Sequence, residues 1–249
     1  MIFVPLDLPP IPNKPELVKR FVGTTYVTGH CGRIEIEKEN MTITDRFAHW
    51  TDTNLYWRNE EWTDTAKKDF PEIMDWVQTN LPFEKYFLIK LGRLYKADPH
   101  VDNNLFWVSQ QADDLYKKLN DGEVCPFPKT ELFKHTAVED AIYEHQLANE
   151  PVGYRFILSG SRDTLYMSKD QRVKLSDDKK HYCTIPEDTD SYVIDNCSQP
   201  HGVDPRPGID DDRIVGFIIG LVKPKEHKEL VQRSAEKYKK YVMTKEMVT

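Results

Sequence analysis

His100 and Asp102 stand two residues apart in the run Asp98-Pro99-His100-Val101-Asp102. In an extended segment the side chains of residues i and i+2 leave the same face, so an imidazole and a carboxylate here aim at one point. They form two legs of a metal site. His201, which follows the strand-like run Ser191 to Ile194, offers a third leg from a distant part of the chain. Two histidines and one carboxylate on one side of an ion leave three neighbouring positions open, the ligand set that suits non-haem Fe(II). Arg213 opens the apolar run Arg213-Ile214-Val215-Gly216-Phe217-Ile218-Ile219-Gly220. A guanidinium at the head of a core-like strand is costly unless it meets an anion, and its planar fork matches a carboxylate. The expected anion is a carboxylic cosubstrate. The plainer alternatives are a turn at Asp98-Pro99 and pairing of Arg213 with Asp210, Asp211 or Asp212 beside it. His135 and His145, placed on one helix, would point about 80° apart and do not converge.

These residues need elements to position them. Three prolines in the first ten residues predict an extended arm. Short β-branched and aromatic groups from Thr24 to Thr44 suggest a hairpin or two. Ala66, Phe70, Ile73, Met74, Trp76 and Val77 recur at three- and four-residue steps between Thr63 and Leu81, the period of one amphipathic helix. Tyr86 to Tyr95 reads as a strand, and Gln110 to Leu119 and Val138 to Leu147 as short helices. From Gly153 the texture changes to strand-like groups separated by turn-rich segments: 154–158, 163–167, 172–175, 182–185, 191–194 and 213–222. That spacing fits a barrel or sandwich. A charged helix over Lys225 to Met243 follows. Trp50, Tyr56, Trp57 and Trp62 read as packing residues or the wall of a substrate groove.

The order His-x-Asp, short strands, a distal His, then an Arg in a final apolar strand resembles the 2-oxoglutarate/Fe(II)-dependent oxygenases. The runs Gly153-Tyr154-Arg155-Phe156-Ile157-Leu158 and Tyr192-Val193-Ile194-Asp195-Asn196 resemble their aspartyl/asparaginyl and prolyl hydroxylase-like branches. The resemblance spans about 86–222. It implies a mainly β protein with flanking helices (α+β) around a double-stranded β-helix core of the jelly-roll, cupin-like kind. One oxygenase domain over 1–249 is expected: an arm and supporting helices (1–85), the core (86–222) with a helical insert (105–150) beside the site's mouth, and a C-terminal helix (223–249). The implied site has Fe(II) on His100, Asp102 and His201, with 2-oxoglutarate paired to Arg213 and O2 as the third reactant. Arg155 would face either the cosubstrate's other carboxylate or a substrate carboxylate. The implied reaction is hydroxylation of a protein or peptide side chain, with succinate and CO2 as coproducts. The alternatives are a free amino acid or other small-molecule substrate, or a non-catalytic cupin-like binding module.

Composition narrows the classes further. A chain of 249 residues with 39% hydrophobic and 30% charged content can bury a core without disulfides or structural metal. Acidic residues outnumber basic ones, 41 to 34, for a net charge of −7, and no long basic run offsets this. That disfavours nucleic acid as the partner. Cys31, Cys125, Cys183 and Cys197 show no disulfide-framework or zinc spacing, which points to reduced thiols and a cytoplasmic setting. The longest apolar run, Ile214 to Val222, is far shorter than a membrane span, so no membrane association is expected. The oligomeric state is not legible.

Overall fold

The computed structural model describes residues 1–23, 50–57, 61–94, 97–100, 152–170, 175–196, 199–204 and 213–248. Among these residues eleven strands fall into two antiparallel sheets. The first strands are β1 (Phe3–Pro5), β2 (Trp50–Trp57), β3 (Glu61–Trp62), β4 (Phe83–Leu94), β5 (Ala97–His100) and β6 (Gly153–Ser159). They are followed by β7 (Leu165–Met167), β8 (His181–Tyr182), β9 (Ser191–Ile194), β10 (His201–Val203) and β11 (Ile214–Val222). One sheet has seven strands in the order β1-β9-β6-β11-β4-β2-β3; the other has four, β5-β10-β7-β8. From β4 to β7, and again from β8 to β11, successive strands alternate between the two sheets. The protein is thus α+β with β dominant.

Strand alternation explains the layering. Along β6 and β11, Tyr154, Phe156, Leu158, Ile214 and Ile218 face a core shared with Leu17, Phe21, Ile73, Trp76, Val77, Leu230 and Val231. Those last residues come from helices α1 (Lys14–Gly23), α3 (Pro71–Asn80) and α4 (Pro224–Lys237). The alternate positions Ile157, Tyr192, Ile194 and Val215 face a second core, built with Ala97, Leu165, Met167 and Val203 of the smaller sheet. Since both faces of the seven-stranded sheet are covered, β11 is apolar along nearly its whole length. Gly216 is required where β11 crosses β6, because a Cβ there would overlap the Phe156 ring.

Several elements differ from the sequence reading. The proline-rich arm is extended, but it is also an edge strand: Phe3, Val4 and Pro5 pair with Ile194, Val193 and Tyr192. The helix expected over 63–81 is two helices, α2 (Asp64–Asp69) and α3, because Pro71 restarts the helix after Phe70 while the apolar stripe continues. β4 begins earlier than expected, and α4 stops at Lys237, with a 3-10 turn over Lys239–Tyr241. The expected strand 182–185 pairs over His181–Tyr182 alone. α1, β2, β3, β5 and β10 were not expected. The hairpins of 24–44, the helices of 110–119 and 138–147, the insert 105–150 and most of the 172–175 strand lie outside the described residues. Among the described residues no helix is long and apolar enough to cross a membrane.

Candidate metal and anion site

The two histidines meet across the smaller sheet. β5 and β10 are antiparallel with His100 and His201 as register partners, so both imidazoles leave the same face. Their ring centroids are 4.8 Å apart at 42°. His201 is also the register partner of Met167 on β7, so it stands in the middle of a three-strand ladder. Gly202 permits this packing, since a Cβ there would run into the Tyr166 hydroxyl and the Ala97 carbonyl. The Gln199 carbonyl lies 3.0 Å from Nδ1 of His201. A carbonyl only accepts, so it fixes the proton on Nδ1 and makes Nε2 the lone-pair nitrogen. Gln199 is itself tied down, its amide donating to the Ser168 carbonyl at 2.6 Å.

The opposite wall comes from the seven-stranded sheet. Arg213 is 2% exposed, and its Nη2 donates to the Tyr192 hydroxyl at 2.9 Å. Its Nε is buried with no hydrogen-bond partner among the described residues. No carboxylate among the described residues pairs with it. Arg155 is 4% exposed; its Nη1 donates to the Tyr154 carbonyl at 2.9 Å, and its guanidinium carbon lies 4.8 Å from the Phe217 ring centre. Phe217 and Arg155 are register partners, as are Arg155 and Tyr192, so all three stand in one row across the sheet.

Between the two walls is a cavity of about 50 Å³ lined by His100, His201, Arg155, Arg213, Tyr192 and Phe217, with apolar side chains completing it. No acidic residue described lines it. Four of the five expected site residues therefore share one cavity. Asp102 lies outside the described residues, and among those described no three His, Cys, Asp or Glu side chains converge as a complete metal site. His135, His145, Cys31, Cys125 and Cys197 also fall outside. Cys183 is a free thiol packed in the second core, and burial pushes its pKa up.

Of the expected metal ligands, His100 and His201 are the two that the described residues place together. Imidazole is a borderline nitrogen donor of the kind divalent first-row metals take, and the Nε of Arg213 on the facing wall is buried with no hydrogen-bond partner among the described residues. Tyr192 and Phe217 were not expected at the site. The alternation that places Ile194 inward also places Tyr192 inward, and the same rule along the last strand turns Phe217 with Val215, so both were readable once the cavity face was known. No family model matches the chain, and no curated protein is significantly similar to it.

Proposed function

We propose that this protein is a 2-oxoglutarate- and Fe(II)-dependent dioxygenase that hydroxylates a protein or peptide side chain. The observation that carries the reading is Arg213: a guanidinium buried to 2% exposure, with an unpartnered Nε, on the same cavity as a cross-strand histidine pair. A buried cation left without an anion is destabilising unless a ligand supplies one. The strand orders support a double-stranded β-helix as the fold. Strands β9-β6-β11-β4 of the larger sheet oppose β5-β10-β7-β8 of the smaller one, and the chain alternates between them.

When bound, Fe(II) with 2-oxoglutarate and O2 supplies oxidative decarboxylation to succinate and CO2 coupled to hydroxylation of a C–H bond. His100 and His201 would hold the metal, with Asp102 as the third ligand. The Gln199 carbonyl keeps His201 in the tautomer that ligation needs. Arg213 would pair with the distal carboxylate, and Arg155 would face a second anionic group. The surrounding apolar residues keep water from the charged groups and so strengthen those pairings.

Oxygen-free titration of Fe(II) into the protein tests the metal half of this reading. One ion per chain is expected in the wild type, with affinity falling by orders of magnitude in His100→Ala and in His201→Ala. Unchanged binding in either variant overturns the assignment.

A further inference from the structure

We infer that Met167 is a self-modification site: turnover without a peptide delivers its oxygen atom to the Met167 sulfur and so shuts the enzyme down. This rests on the dioxygenase reading given above. Met167 is 0% exposed, and it stands on β7 as the register partner of His201 on β10 and of His181 on β8. Directly opposed side chains of antiparallel strands share a face, with Cβ atoms about 4.5–5.5 Å apart. The Met167 side chain therefore leaves the smaller sheet beside the imidazole proposed to hold the metal. Its three rotatable bonds let the thioether adapt to the space around it.

The second core around Met167 holds Ala97, Leu165, Ile194 and Val203, all of which also line the cavity. Their side chains offer only C–H bonds, whereas a thioether sulfur offers a lone pair to an oxidant. Cys183 packs in the same core, but it lies just past β8, two strands from His201, and burial keeps its thiol protonated. The step consumes one O2 and one 2-oxoglutarate. One oxygen atom enters succinate as CO2 is lost, and the other forms the S=O bond of methionine sulfoxide as two electrons leave the sulfur. No bond of the side chain breaks. The apolar neighbours give a sulfoxide oxygen no hydrogen bond, so the product disturbs this core and the ladder that holds His201. The change is reversible, since methionine sulfoxide reductases restore the thioether.

The test maps the full chain by tandem mass spectrometry after aerobic incubation with Fe(II), 2-oxoglutarate and catalase, without peptide. Met1 at 44% and Met247 at 57% exposure report any oxidant free in solution. A gain of about 16 Da, one oxygen atom, is expected on the fragment that carries Met167. It should rise in step with succinate, while Met1 and Met247 stay at the level of a control lacking 2-oxoglutarate. His201→Ala should lose the gain on Met167. In Met167→Leu, a swap of similar volume, succinate formation without peptide should slow later than in the wild type. An unmodified Met167 in protein that forms succinate would overturn the inference and leave the dioxygenase reading standing. A gain shared equally by Met247, or carried by Cys183 instead, would overturn it as well. Absence of succinate altogether would remove the reading on which it rests.

Discussion

Replacing Arg213 by methionine should stabilise the ligand-free protein while abolishing its affinity for 2-oxoglutarate. Arg213 is 2% exposed and, among the described residues, has one hydrogen-bond partner and an unpartnered Nε. Exchanging buried charge for an apolar side chain of similar size gains about 1–4 kcal/mol where the charge lacks a well-matched partner. Loss of the bond to Tyr192 offsets about 1–2 kcal/mol of that. The net expectation is a gain near 1 kcal/mol, or about 2–4 °C in Tm for a chain of this size. The competing arrangement, a salt bridge from Arg213 to Asp210, Asp211 or Asp212, predicts the opposite sign: orphaning a buried partner costs about 3–5 kcal/mol. Thermal and urea unfolding of the metal-free protein distinguish the two. A ligand arm adds a second readout, since 2-oxoglutarate at a hundred times its Kd should add about 2.7 kcal/mol to the metal-loaded wild type and nothing to the variant. A fall in Tm of more than about 6 °C in Arg213→Met would refute the argument that this cation is kept for a ligand.

Two further expectations concern the scaffold. Gly216→Ala should destabilise by about 1–3 kcal/mol in urea melts, because the new methyl meets the fully buried Phe156 ring, which Trp76 backs at 5.8 Å; wild-type stability would mean that β11 and β6 part easily. Arg20 donates to both oxygens of Glu72 at 3.0 Å, and this pairing holds the Glu72 carboxyl below its ordinary 4.5. A lowered folded-state pKa contributes stability that is present above 4.5 and lost as pH falls through the folded-state value. Glu72→Gln should flatten that part of the acid-denaturation curve by less than about 1 kcal/mol, as both groups remain within reach of water, and an unchanged acid limb would count against the pairing.

The legible part of the site came from residue types that cannot be indifferent to burial. Arg213 at the head of β11 and Arg155 inside β6 were conspicuous because charge in an apolar strand demands a partner, and both line the cavity. The His100–His201 encounter was readable as chemistry but not as geometry. β5 contains Asp98-Pro99 and β10 follows Pro200 with Gly202, sequences that look like turns. These short strands exist because their neighbours pair with them, and pairing is not encoded in a local period. The same holds for β1, where three prolines signal an extended arm but nothing local says that β9 will receive it. Long, regular signals carry over directly into elements. β6, β9 and β11 lie within a residue or two of their expected bounds, and the 63–81 stripe buries the expected face despite the break at Pro71. Tyr192 and Phe217 were hidden because aromatic residues on strands read first as core.

The dioxygenase reading stands or falls on succinate formed from 2-oxoglutarate by the Fe(II)-loaded protein in air, alone and with a peptide library, beside Asp102→Ala. Succinate is expected in proportion to 2-oxoglutarate consumed, rising when an accepted peptide is present. In Asp102→Ala no turnover is expected while the thermal unfolding curve stays that of the wild type. Absence of succinate from wild type that has bound both iron and 2-oxoglutarate, or near wild-type turnover in Asp102→Ala, would contradict that reading.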